Sequence, residues 1–181
     1  MKKDSIVAVL KEQKEMRLKG NLYHITQIQF AYNSNHIEGN TLTEEETRLI
    51  YETKTFIADG KSHKIDDFIE MQNHFALFNC MIDKGENLLS EDIIKEFHTV
   101  LKSSTTDSQK DWFKVGEYKT LANEVGGKQT TRPENVAIDM KKLLDWYNNI
   151  SNVRLEDIVE FHYKFESIHP FQDRKSDVLV E

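Results

Sequence analysis

The stretch His162-Tyr163-Lys164-Phe165-Glu166-Ser167-Ile168-His169-Pro170-Phe171-Gln172-Asp173 reads as an amphipathic helix running into a fixed stop. Ile158, Phe161, His162 and Phe165 recur at helical spacing. Pro170 disfavours helical geometry at the residue before it, so the helix ends at His169 and passes into a loop. An imidazole therefore stands at a rigid helix exit. With an ordinary pKa of about 6.5, it accepts a proton near neutral pH, as activation of a Ser, Thr or Tyr hydroxyl requires. Four residues on, Asp173 offers a hard anionic oxygen suited to Mg²⁺.

Upstream, the pattern stays helical, and glycine (7) and proline (2) are scarce. Ile6, Val9, Leu10 and Met16 predict a first helix ending near Gly20. Ile25, Ile28, Tyr32 and His36 predict a second ending near Gly39. Both glycines suit the left-handed position after a helix C-terminus. Thr43 and Glu46 form a capping box for a third helix running toward Ala58 and closed by Gly60. Ile65, Phe68, Ile69, Phe75, Leu77, Phe78 and Ile82 predict a long buried helix over 63–83. Ser90, Glu91 and Asp92 then start another, through Ile93, Ile94, Phe97, Val100 and Leu101.

Residues 103–111 are polar and poor in helix formers. Val115 to Val125 reads as a strand region, turned by Gly126-Gly127, a pair that tolerates positive φ. Pro133 fits the first position of a further helix whose stripe is Val136, Met140, Leu143, Leu144 and Tyr147. The expected fold is mainly α, a helical bundle with one small β-hairpin.

Composition narrows the class. Hydrophobic residues make up 38% and charged residues 30%, which excludes a disordered chain. No apolar run reaches the roughly 18 residues of a membrane span, and Met1-Lys2-Lys3-Asp4 opens no signal peptide, so no membrane role and a cytoplasmic setting are expected. Cys80 is alone, which rules out an internal disulfide. A formal charge of −7 argues against nucleic-acid binding by counterion release.

His-Pro-Phe-Gln-Asp over 169–173 resembles the opening half of the signature HPFx(D/E)GNGRxxR of Fic proteins, enzymes that transfer AMP from ATP to protein hydroxyls. The likeness extends upstream through Gly116-Glu117-Tyr118-Lys119, Pro133-Glu134-Asn135-Val136 and Met140-Lys141-Lys142-Leu143-Leu144, and covers residues 90 to 173. Ser34-Asn35-His36-Ile37-Glu38-Gly39 is similar to the inhibitory (S/T)xxxE(G/N) motif of Fic proteins that carry their own brake, with the brake N-terminal as in class II members. Four-residue spacing places Ser34 and Glu38 on one helix face, and Gly39 lets the helix end directly after the carboxylate.

The resemblance implies a Fic-type helical bundle, with an N-terminal helical region over 1–89 carrying the inhibitory motif and a Fic core over 90–181. It implies ATP and Mg²⁺ as cofactors, His169 as general base and Asp173 as Mg²⁺ ligand. Phe171, Gly116 and Tyr118 join Asp173 as residues that shape the nucleotide site. Residues 116–131 become a flap that aligns a target protein by strand addition. Glu38 would pair with the signature's last arginine and obstruct the γ-phosphate.

The signature's second half is absent, because Arg174-Lys175-Ser176 follow Asp173 where Gly-Asn-Gly-Arg would stand. Small residues in that cradle let backbone N–H groups approach phosphate oxygens, and the arginine adds a bidentate contact. Little or no AMP transfer is therefore expected of this chain. Codons for 174–177 can be chosen so that a one-base shift restores Gly-Asn-Arg, which points to a frameshift just after Asp173.

Two rival readings stand beside this one. A degenerate Fic domain can act as a non-catalytic binding or regulatory module. Alternatively, His162, Glu166 and His169 share a helix face as metal ligands, although they lack the HExxH pattern and Pro170 disturbs the last turn. The helical surface is also compatible with a homodimer.

Overall fold

The computed structural model describes residues 5–57, 60 and 62–172. Among them run α1 (Ile6–Met16), α2 (Leu22–Ile37), α3 (Glu44–Thr53), α4 (Ile65–Lys84), α5 (Glu91–Lys102), α6 (Pro133–Asn148) and α7 (Leu155–Ile168). A 3-10 turn at Asp107–Gln109 and two short strands, β1 (Glu124–Val125) and β2 (Lys128–Gln129), complete the order. The fold is the expected one, mainly α with one small hairpin.

Side chains set most helix starts. Asn21 Oδ1 accepts the His24 N–H at 2.8 Å and opens α2. Thr43 and Glu46 close their capping box, the Thr43 N–H donating to Glu46 Oε2 at 2.7 Å and the Glu46 N–H to Thr43 Oγ1 at 3.2 Å. Pro133 begins α6, where its missing N–H costs nothing.

The chain divides into two compact units, Met1–Asn87 with Val100–Thr105 and Leu88–Thr99 with Thr106–Glu181. In the first, α2 lies against α1, α3 and α4. Ala31, Leu42, Ile50, Met71 and Phe75 form its main core, and Tyr23, Phe78 and Ile82 a second cluster. Fully buried Gln27 donates through Nε2 to Phe75 O at 3.0 Å, while its Oε1 has no hydrogen-bond partner among the described residues. In the second unit α6 packs on α7 around Ile94, Val136, Met140, Leu143, Leu144 and Ile168. Val136 and Met140 are completely covered, each contributing about 1.5–3 kcal/mol by burial.

Two boundaries differ from expectation. The third helix stops at Thr53 rather than continuing toward Ala58, a residue outside the described ones. Lys54 takes the left-handed conformation at φ 58°, and its N–H returns to Ile50 O. Thr53 Oγ1 donates to Leu49 O and accepts from the Thr55 N–H, so the hydroxyl competes with another helical turn.

The second difference concerns Val115 to Val125, of which only Glu124 and Val125 are strand, paired with Gln129 and Lys128. The preceding backbone donors go elsewhere. The Glu117 N–H closes a turn on Lys114 O, the Lys119 N–H bonds Pro170 O at 2.8 Å, and the Leu121 N–H bonds Gln172 Oε1 at 3.2 Å. No described helix is long and apolar enough to cross a membrane.

Candidate active site

Helix α7 delivers His169. Its N-terminus is held by the Arg154 N–H donating to Asp157 Oδ2 at 2.8 Å. At its other end the His169 N–H bonds Phe165 O at 2.8 Å, and His169 turns left-handed at φ 47°. That conformation is uncommon for a residue with a side chain and costs about 1 kcal/mol. Pro170 behind it is fully buried. The imidazole, 18% exposed, has Nδ1 3.6 Å from Glu166 Oε2. This is an ion-pair distance beyond hydrogen-bond range. The Glu166 carboxylate thus lies on the Nδ1 side of the ring.

Phe171 follows as the anchor of the loop. Its ring stacks on His98 at 4.0 Å between centroids and 2° between planes, and Tyr118 leans on it at 5.8 Å. His98 is itself buried on α5 and accepts the Gly116 N–H on Nδ1 at 2.9 Å. Gly116 is left-handed at φ +77°, and a Cβ there would collide with Thr99 Oγ1. One imidazole thus joins the start of the flap segment to the loop after α7.

Tyr118 packs against the second unit's core, with Lys95 Nζ 4.4 Å above its ring. Its hydroxyl is buried without a hydrogen-bond partner among the described residues. Burial first, and the Glu91 carboxylate second, push the phenol's pKa well above its ordinary value.

The flap's base is tied to the same loop. Lys119, 3% exposed, donates through Nζ to Asn123 Oδ1 at 2.7 Å, Thr130 Oγ1 at 2.6 Å and Ile168 O at 3.1 Å. Asn123 Nδ2 reaches Phe171 O at 3.3 Å, and the Thr131 N–H bonds Ser167 O at 3.2 Å. Residues 169–172 therefore form one hydrogen-bonded assembly with 116–131. Asp173 lies outside the described residues. Among those described, no group of three or more His, Cys, Asp or Glu side chains is arranged to hold a metal, which removes the His162, Glu166 and His169 alternative.

The other motif lies in the first unit. Helix α2 ends at Ile37, Glu38 occupies the cap position, and Gly39 takes φ +84° as the spacing predicts. The Glu38 N–H donates to Ser34 O at 3.4 Å. The Glu38 carboxylate, 44% exposed, accepts from Lys102 Nζ at 3.1 Å.

Glu166, His98, Lys119, Asn123 and Gln172 were not singled out in these roles from the sequence. Only the three-residue spacing of Glu166 and His169 was a local signal. The others act across long sequence separations.

Residues 88–173 match the family model described as the Fic/DOC family. Residues 88–173 are a Fic/DOC family domain. Protein adenylyltransferase fic-1 of Caenorhabditis elegans is 29% identical over 152 residues, which are 82% of this chain and 29% of that protein. Protein adenylyltransferase Fic of Drosophila willistoni is 30% identical over 149 residues, 80% of this chain and 28% of that protein. The chain thus spans about three tenths of the length of these curated relatives. A solved Fic domain containing signaling protein from Bacteroides thetaiotaomicron superposes with a TM-score of 0.71 at 27% identity, covering 93% of this chain and 67% of that one. A structure of Fic-1 from C. elegans shares the fold at a TM-score of 0.66 and 24% identity, covering 92% of this chain and 51% of that one.

Proposed function

We propose that this chain is a cytoplasmic, adenylyltransferase-type Fic domain of the autoinhibited class whose own AMP transfer is abolished or strongly impaired. The observation that carries the reading is an uneven site: the His169 loop and the flap base are built and bonded together, whereas Arg174-Lys175-Ser176 follow Asp173. The names of the curated relatives support the reaction class.

In this reading His169 takes the proton of a target Ser, Thr or Tyr hydroxyl on Nε2. Glu166, beside Nδ1, orients the ring and offsets the imidazolium charge. The target backbone lies along the exposed hairpin of β1 and β2, which offers an edge for strand addition.

By donor type Asp173 suits Mg²⁺, which with ATP would supply the electrophilic phosphorus. The triphosphate is not matched. Arg174 and Lys175 carry charge, but the sequence has neither of the glycines that the signature calls for. In the flap, the N–H groups of Lys119 and Leu121 are bonded to Pro170 O and Gln172 Oε1. Each lost charge-assisted contact is worth about 1.5–3 kcal/mol, so a few of them cost orders of magnitude in rate. Glu38 is assigned the brake, and it pairs with Lys102 where the signature's last arginine has no counterpart.

The test sets this chain beside a version carrying Gly-Asn-Gly-Arg after Asp173 and the helix that the family places next. Both are incubated with labelled ATP, Mg²⁺ and a lysate. Labelling by the restored form alone, lost on His169→Ala and raised by Glu38→Gly, is the expected result. Strong labelling by the present chain that disappears on His169→Ala overturns the inactivity. Silence from both forms removes the transferase reading and leaves a binding module built on the flap.

A further inference from the structure

We infer that Lys119 is the positioning residue for His169, a single buried ammonium that sets the base and the flap together; the functional part of this inference rests on the proposed role of His169. The evidence is where its donors go. The Lys119 N–H holds Pro170 O at 2.8 Å, and its Nζ holds Ile168 O at 3.1 Å. These carbonyls belong to the residues on either side of His169.

His169 needs such a grip. Its left-handed backbone persists only where neighbouring groups over-determine it. Helix α7 supplies one constraint through Phe165 O, and Lys119 supplies two more. An ammonium at Ile168 O also meets the negative end of α7, where cations are favourable.

The remaining bonds run to the hairpin. Asn123 precedes β1 and Thr130 follows β2, so Nζ touches both feet of the flap. Backbone pairing repeats the link, the Thr130 N–H donating to Asn123 O at 3.3 Å. An ammonium has three donors in roughly tetrahedral array, and among the described residues Asn123, Thr130 and Ile168 each offer it an acceptor. Burying that charge is expensive, and a methionine of similar length would fill the space without the cost. What the methionine lacks is the ability to fix Asn123, Thr130 and Ile168 O in one geometry. Displacing the hairpin therefore displaces the backbone of His169.

The test uses NMR and amide exchange on the full chain and needs neither ATP nor AMP transfer. In Lys119→Met, the His169 Cα and Hα shifts should leave their left-handed values. Exchange at Leu121 and Thr131 should quicken about tenfold, while Leu143 and Leu144 keep their protection. Lys119→Arg, which keeps the charge, should recover the His169 shifts at least in part. Unchanged His169 shifts in a folded Lys119→Met protein overturn the inference, as does a uniform loss of protection in both variants. If Lys119→Met does not fold, Thr130→Val removes one acceptor at the hairpin's foot. Movement of the His169 shifts in that variant supports the inference, and fixed shifts refute it. If labelling by the restored form ignores His169→Ala, the transferase reading fails while the Lys119 result stands.

Discussion

Lys102 donates to Glu38 at 3.1 Å, so the carboxylate at the end of α2 is held by a lysine from the last turn of α5. Lys102 is 19% exposed and Glu38 44%, a setting in which solvent screens the pair. A double-mutant cycle with Lys102→Ala and Glu38→Ala, followed by urea denaturation, should give a coupling of about 0.5 kcal/mol that shrinks in ~1 M salt. A coupling several times larger would mean that the pair is more desolvated than this geometry shows.

Gly116 and Gly126 predict losses of different size from similar backbones. Both have positive φ, at +77° and +57°, but a Cβ at Gly116 meets Thr99 Oγ1 while one at Gly126 meets nothing within 4 Å. Gly126→Ala should cost about 1 kcal/mol through the backbone alone. Gly116→Ala adds an overpacking cost of about 1–3 kcal/mol and disturbs the N–H bond to His98. Urea midpoints of the two variants check the order, and near-equal losses would contradict the Thr99 clash.

Where local chemistry decided the outcome, the sequence was legible. The Thr43 and Glu46 box, Gly39 after α2 and Pro133 at the start of α6 each act within one helical turn. The His-Pro stop worked likewise, because the ring of Pro170 restricts its neighbour directly. The end of α3 was less legible, since it turns on which backbone groups the Thr53 hydroxyl takes. The segment 115–123 misled for a different reason. Val115, Tyr118 and Leu121 are compatible with a strand, but the N–H groups of Lys119 and Leu121 are answered by Pro170 and Gln172, about fifty residues away. His98 and Lys119 share that origin: their roles depend on partners that no local pattern brings together.

Thr43→Ala should destabilise the first unit by about 0.5–2 kcal/mol. The substitution removes the acceptor for the Glu46 N–H and the hydroxyl that donates to Glu46 Oε2 at 2.8 Å. Circular dichroism during urea denaturation provides the check. Thr43→Ser keeps the oxygen and should retain most of the stability, and an equal loss in both variants would assign the effect to the methyl group's packing.

His74 gives the first unit a pH dependence. It is 3% exposed on α4, rings it approaches include Phe30 at 6.1 Å, and Nδ1 lies 2.9 Å from Glu70 O. That geometry suits a neutral ring donating from Nδ1. Burial, the largest cause, holds its pKa below the ordinary 6.5; Lys102 acts in the same direction, and Glu70 O and Glu38 oppose it. A histidine whose folded pKa lies below its unfolded one binds fewer protons when folded. Its contribution is therefore complete above pH ~6.5 and is lost as the pH falls from there toward the folded-state pKa. Glu52 acts in a lower window: the Lys19 ammonium, its largest influence, lowers its pKa from 4.5, so its contribution is lost only as the pH falls below that value. Urea midpoints should thus decline as the pH falls below ~6.5 for the native chain, and His74→Phe should flatten that decline while leaving the more acidic loss in place. A decline of unchanged slope in His74→Phe would assign the titration to another group.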